Sequence, residues 1–217
     1  MNKKVIIKKA SRFVRKSLVN AEGGHDWLHV NRVLKNARRI LKKEKANRTI
    51  VYLGLLFHDV ADPKFNNGDK EKGIKLTQAF LEETQVKQKT ASKVVDIVQN
   101  ISYDGGFENK KKAFLELKIA RDADRLDALG AIGVARAFHY GGHAGRKIYD
   151  PKINPVTYRS EKEYRENNGP TINHFYEKLL RLKKGMYTKT AKKIARKRHR
   201  YLVDYLKQFK RELKGKS

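Results

Sequence analysis

The sequence has 217 residues, 39% of them hydrophobic, with 51 Lys and Arg against 23 Asp and Glu, a net charge of +28, and no cysteine. The missing cysteines exclude disulfides, thiolate zinc sites and cysteine nucleophiles, and no apolar run approaches the ~18–20 residues of a membrane span. The positive balance points to polyanionic partners such as nucleotides or nucleic acid.

The chain reads as a succession of helices. Residues 3–20 alternate apolar and basic positions, and Val5, Ile6, Phe13, Val14 and Leu18 share a helix face. The apolar core of Met1–Lys9 is too short for a signal peptide, so a soluble, cytoplasmic protein without membrane contact is expected. After the break at Ala21–Gly24, His25-Asp26 opens a second helix to about Lys43, with Val30, Val33, Leu34, Ala37 and Leu41 as its stripe. His25, His29 and Arg32 lie beside that stripe at i, i+4 and i+7. Ile50 to Phe57 carries no charge and then meets His58-Asp59. This run reads as a buried helix, and the stop is expected at Asp62-Pro63 because proline cannot continue a helix.

Further helices are expected over about 70–83 and 90–101. After a glycine- and lysine-rich loop, one long helix is expected over 113–140, with Arg121-Asp-Ala-Asp-Arg-Leu-Asp127 at its middle. Residues 141–170 hold three of the four prolines and four glycines, and read as an extended loop. The basic closing helices fall over about 171–184 and 188–213. From Lys178 to Ser217 there are 16 Lys and Arg against 2 Asp and Glu, so half the net charge lies in the last 40 residues. Ile194, Tyr201, Leu202, Tyr205, Phe209 and Leu213 form an apolar stripe in the final helix, with Arg198 on it. No strand and no repeat is visible. The expected fold is an all-α, single-domain helical bundle.

His29, His58, Asp59 and Asp124 each stand beside apolar residues and are hard to place in solvent. Buried, they need either a hydrogen-bond network or an ion. Two imidazoles and two carboxylates suit one divalent ion such as Mn, Fe, Ni, Mg or Zn, with positions left for water and substrate. His25-Asp-Trp-Leu-His29 lacks the glutamate of a zinc-peptidase motif. Asp122–Asp127 lacks the glycine and terminal glutamate of a calcium loop.

The ordered His29, His58-Asp59 and Asp124 resemble the H…HD…D signature of the HD-domain metal-dependent phosphohydrolase superfamily. Four blocks strengthen the likeness: His25-Asp-Trp-Leu-His-Val-Asn-Arg-Val33, Leu56-Phe-His-Asp59, Arg121–Gly133 and Asn173-His-Phe-Tyr-Glu-Lys-Leu-Leu180. Together they resemble its stand-alone YedJ-like branch over nearly the whole chain. The resemblance implies a metal site at His29, His58, Asp59 and Asp124. It also implies hydrolysis of nucleotides, first of (deoxy)nucleoside triphosphates to monophosphate and pyrophosphate, often with Mn. Asn100-Ile-Ser-Tyr103 has no histidine where two-metal relatives carry extra ones, which argues for a single ion.

Phosphoryl transfer needs positioning and positive charge around the non-bridging oxygens. Arg32, Lys64, Lys178, Arg198 and His25 are the candidate phosphate contacts, and Asp62 is a candidate base or water-orienting group. Asp127 is a candidate anchor for Arg32 or for a histidine of the site, and His174 a further phosphate donor. The alternatives are a nucleoside monophosphate phosphatase, or a basic nucleotide- or nucleic-acid-binding protein without turnover. In the last case the basic C-terminal region would contact nucleic acid, with Tyr201, Tyr205 and Phe209 as stacking platforms if they do not pack in the core.

Overall fold

The computed structural model describes residues 2–19, 25–60, 70–107 and 113–216. The described residues form helices joined by turns and loops, with no strand among them, so the fold is all-α. No described helix is long and apolar enough to cross a membrane. The chain clusters into two compact units, one of residues 1–102 and 109–124, the other of residues 103–108 and 125–217.

The first unit is built around its most apolar helix. Its elements are α1 (Lys3–Ser17), α2 (Trp27–Ile40), α3 (Arg48–Phe57), α4 (Lys70–Glu83), α5 (Gln88–Asn100) and the first part of α6 (Leu115–Asp127). Asn47 caps α3, its side chain accepting from the backbone N–H of Thr49 at 3.1 Å. Ile50, Val51, Leu53, Leu55, Leu56 and Phe57 are buried. A helix this apolar on all sides is stable only when enclosed, and α1, α2 and α5 pack on it. Phe57 meets Phe13 and Phe80, with ring centroids 5.9 and 5.0 Å away. On another face Gly54 lets Ile97 approach so closely that a Cβ there would stand 2.6 Å from its Cγ2.

The second unit holds the remainder of α6, α7 (Gly130–His143), α8 (Glu161–Glu166), α9 (Thr171–His174), a π turn at Phe175–Leu179, α10 (Leu180–Leu182) and α11 (Lys189–Glu212). Its core includes Phe175, whose ring stacks on Tyr205 at 5.8 Å and meets Phe138 at the same distance. Glu177, buried in the π turn, accepts from the backbone N–H of Val156 at 3.1 Å and the Tyr158 hydroxyl at 2.6 Å. It thereby ties the long connection to the closing helices. Burial, with the Glu177 charge, pushes the Tyr158 hydroxyl above its usual range.

Three expectations are corrected. The helix expected over 113–140 is two helices, because Leu129 is extended and Gly130 takes φ +76°, a left-handed turn that glycine adopts without strain. The loop expected over 141–170 begins inside α7 and contains α8, whose N-cap Ser160 accepts from the Glu163 N–H at 3.2 Å. The buried helix α3 ends at Phe57, so His58 and Asp59 lie in the turn that closes it; the stop expected at Asp62-Pro63 lies outside the described residues.

Candidate metal centre

Three elements of the first unit each contribute to one small cluster. His29 stands in the first turn of α2, where its backbone N–H donates to the N-cap carboxylate of Asp26 at 2.8 Å. His58 and Asp59 follow the last residue of α3. Asp124 comes from α6. His29, His58 and Asp59 are buried, while the Asp124 side chain keeps 25% of its exposure, leaving the cluster open on that side.

His29 Nε2 lies 3.3 Å from His58 Nε2, 3.5 Å from Asp59 Oδ2 and 3.5 Å from Asp124 Oδ1. His58 Nε2 lies 3.2 Å from Asp59 Oδ1 and 3.8 Å from Asp124 Oδ1. Donor atoms held about 2.0–2.2 Å from one divalent ion stand roughly 3–3.5 Å from each other, so the observed spacing fits a shared ion. His29, His58 and Asp59 alone already form a group able to hold a metal. The orientation of the His58 ring agrees. His58 Nδ1 sits 2.7 Å from the Leu55 carbonyl and, facing an acceptor, carries the proton in the neutral ring. Its Nε2 then turns a lone pair toward the cluster, as a metal-ligating imidazole requires.

The frame around the cluster contains groups that sequence reasoning missed. Asn36, seven residues along α2 from His29, donates its side-chain N–H to the Ala123 carbonyl at 3.0 Å and so fixes α6 beside Asp124. The signal was present: a polar residue two helical turns beyond His29, on the same side of the helix. Glu116 at the start of α6 accepts from the Asn47 N–H at 3.1 Å and joins the N-terminus of α3 to α6. Burial raises its carboxyl, but the Asn47 N–H and the nearby Lys93 ammonium outweigh this and leave it below the usual carboxylate range. Arg121, fully buried, donates to the Asn100 carbonyl at 2.9 Å and closes the end of α5.

The other sequence candidates are placed as follows. The rings of His25 and His29 lie edge to face, 6.0 Å apart, so His25 stands beside the cluster. Arg32 is half-buried on α2, one turn from His29. Asp62 and Lys64 lie outside the described residues. Lys178, in the π turn of the second unit, holds its ammonium 5.4 Å from the Tyr103 ring and 5.9 Å from the Tyr164 ring. Arg198 donates to the Leu126 carbonyl, within the last turn of α6, and its stem packs where a Cβ on Gly130 would fall. His174 is half-buried in α9. Asp127, an expected anchor for Arg32, pairs with Arg136 at 3.2 Å. Of the tyrosines and phenylalanine of the last helix, Tyr205 and Phe209 are half-buried, Phe209 against Tyr149 at 6.2 Å, while Tyr201 is 49% exposed.

An arrangement of two histidines and two aspartates in this order along the chain is shared by a known family. The HD domain matches residues 27–129, a span that contains all four. The Bacillus subtilis protein YpgQ is 34% identical over 206 residues, covering 94% of this chain and 91% of its own. This chain belongs to the HD-domain superfamily of hydrolases. Solved structures agree over its full length. A Lactobacillus plantarum protein superposes with a TM-score of 0.89 at 34% identity, over 99% of this chain and all of the other. A Bacillus thuringiensis protein, called an HD-superfamily hydrolase, superposes with a TM-score of 0.76 at 41% identity, over 98% of this chain and 99% of the other. The crystal structure of YpgQ in complex with ADP superposes with a TM-score of 0.73 at 29% identity, over 95% of this chain and 97% of the other.

Proposed function

We propose that this HD-domain protein is a metal-dependent phosphohydrolase of nucleotides, in the YedJ-like branch, and that it converts (deoxy)nucleoside triphosphates to monophosphate and pyrophosphate. The observation that carries the proposal is the set of donor atoms of His29, His58, Asp59 and Asp124, spaced 3.2–3.8 Å apart in the contacts named above. The ADP complex of YpgQ supports a nucleotide as the ligand class.

His29, His58, Asp59 and Asp124 would hold one divalent ion, Mn first among Mn, Ni, Fe, Mg and Zn. When bound, such an ion activates a water near neutral pH and polarises a phosphoryl oxygen. The protein's own part is orientation and charge. The Leu55 carbonyl keeps the His58 ring turned, and Asp26 fixes the turn that presents His29. Arg32 and His25, flanking His29, are assigned to the phosphate oxygens, where a guanidinium binds two oxygens at once. Lys178 and Arg198 are assigned to phosphate contact as well, with Lys64. Asp62 is assigned to orient the attacking water.

The test is product analysis. Metal-stripped protein is resupplied with Mn, Ni, Mg, Fe or Zn in turn and offered nucleoside tri-, di- and monophosphates. Pyrophosphate with a monophosphate is the expected outcome and places the cleavage at the anhydride between the α- and β-phosphates. Inorganic phosphate released from monophosphates alone would make the protein a nucleotidase instead, and absence of turnover with every metal would overturn the hydrolase reading.

A further inference from the structure

One feature of the molecule is used by neither the metal centre nor the core: the outer side of α11. This helix has 24 residues and is about 36 Å long. It is sharply two-sided. Ala191, Ile194, Ala195, Leu202 and Leu206 are buried on one side. Lys189, Lys192, Lys193, Arg196, Lys197 and Arg200 are all exposed, and at 100° per residue they fall within an arc of about 140°. Lys207, Lys210 and Arg211 continue the same side toward the C-terminus, also exposed. Asp204 is the acidic residue that interrupts the stripe.

Two observations set this stripe apart from an ordinary solvated helix face. Surface helices usually mix signs, so that i, i+4 neighbours attract. On α11 the pairs Lys189–Lys193, Lys192–Arg196, Lys193–Lys197 and Arg196–Arg200 are all of like charge, and each such pair weakens the helix. Nor are these charges answered from elsewhere. Among the described residues, none of Lys189, Lys192, Lys193, Arg196, Lys197 and Arg200 has a carboxylate within 4.0 Å. Charge is therefore concentrated, exposed and self-repelling along one long helix, and a linear polyanion relieves it.

We infer that the outer face of α11 is a docking surface for double-stranded nucleic acid, bound through its phosphates without regard to sequence. The Cβ atoms of residues three and four apart on a helix are ~5–6 Å from each other, so the flexible cationic side chains above them can reach successive phosphates of one strand. Neutralising phosphates displaces condensed counterions, which is the source of affinity for such a surface. The duplex, rather than a single strand, follows from the aromatic residues. Single-strand binding relies on exposed rings on which unpaired bases stack. Tyr205 and Phe209 are half-buried, their rings covered by Phe175 and Tyr149, and Tyr201 at the edge of the stripe is the one exposed ring of that set. The stripe's cations are suited to phosphates, which DNA and RNA duplexes share, so both are expected to bind. This surface is independent of the metal centre and of the hydrolase reading.

The experiment compares the full-length protein with two variants of equal charge loss. In one, Lys193, Arg196, Lys197 and Arg200 become glutamine. In the other, Lys4, Lys8, Arg15 and Lys16, all exposed on α1, become glutamine. Binding of a fluorescent 25-base-pair DNA duplex (a length of about 85 Å at 3.4 Å per step), the same RNA duplex, single-stranded dT and vesicles of anionic lipid is titrated between 50 and 300 mM salt. The wild type is expected to bind both duplexes more tightly than dT, with affinity falling steeply as salt rises. The α11 variant is expected to lose on the order of 100-fold in duplex affinity near 100 mM salt, and its log–log salt slope to drop by about 3–4. The α1 variant should stay within about threefold of wild type, and both variants should keep nucleotide turnover. Equal losses in the two variants would overturn the inference, because binding would then follow total charge rather than this helix. Absence of duplex binding at 50 mM salt, tighter binding to dT, or a vesicle preference would overturn it as well.

Discussion

The centre at His29, His58, Asp59 and Asp124 and the outer face of α11 treat charge in opposite ways. At the centre three of the four polar side chains are buried, and their donor atoms stand 3.2–3.5 Å apart with little solvent to screen them. On α11 the cations are exposed and lie in water of high dielectric, where each like-charge pair costs only about 0.2–0.5 kcal/mol. Burying an unpaired ionised group costs several kcal/mol. A buried cluster of this kind is therefore held together by what it binds, whereas an exposed stripe is tolerated whether or not a partner is present. Chemistry that needs a fixed ion belongs to the first arrangement, and salt-sensitive, sequence-blind adhesion to the second.

That contrast is broken most severely at the centre itself. Asp59→Ala removes a buried carboxylate that approaches both imidazoles, and metal-dependent turnover is expected to fall by on the order of 10³-fold or more, because groups that act as a unit fail together. Circular dichroism should remain helical. Retained turnover would remove Asp59 from the site. Metal removal provides a reading that does not depend on substrate. Loading the stripped protein with Mn should raise the melting temperature with increasing metal concentration, as any ligand of the folded state does, and Asp59→Ala should abolish that rise.

The packing that presents the site is the next largest effect. Gly54→Ala places a methyl group 2.6 Å from Ile97 Cγ2, and Ile97 is fully buried. Overpacking of this kind costs about 1–3 kcal/mol, more than the helix propensity gained over glycine returns. A lowered urea midpoint with an unchanged slope is expected; a raised midpoint would mean that α5 gives way freely.

Glu116→Gln sharpens the comparison with a pH dependence. The folded-state carboxyl lies below its reference value of 4.5, so its stabilisation is fully present above pH 4.5 and is lost as pH falls through the lowered value. At pH 7 the variant should be less stable by about 1 kcal/mol, the scale of one hydrogen bond to a charged group discounted for partial solvation. As pH falls through that lowered value the two proteins should converge, because the wild-type carboxyl is then protonating too. A gap of constant size from pH 7 to pH 3 would show that the Asn47–Glu116 contact does not depend on charge. The smallest effect belongs to α11. Replacing Lys193, Arg196, Lys197 and Arg200 by glutamine removes four like-charge pairs and should raise the melting temperature slightly, by an amount that shrinks as salt is added.

Much of this was legible in residue order. The periodicity of α2, α4 and α11 follows from apolar spacing, and α4 occupies the expected residues 70–83. His29, His58, Asp59 and Asp124 stood out as ligating groups beside apolar residues, and the resemblance to the ordered H…HD…D signature singled them out together. The break at Leu129–Gly130 was not legible, because an isolated glycine inside a helical pattern is tolerated; only its φ of +76° and the Arg198 stem packed on it show a turn there. The short α8 was missed because the proline- and glycine-rich surroundings outweighed the Ser160 cap and the Glu161–Arg165 pair.

The sequence by itself determined the all-helical class, the identity of the four polar groups at the centre and the sidedness of α11, since each depends on residue type and local spacing alone. The tertiary structure decided that these groups meet, because His29, His58 and Asp124 are separated by 29 and 66 residues and only packing of α2, α3 and α6 can close such distances. It also decided which tyrosines are half-buried and which exposed, which carbonyl turns the His58 ring and which carboxylate holds the start of α3. Such pairings are made between side chains far apart in the chain, where periodicity carries no information and only the shape of the packed core selects the partner.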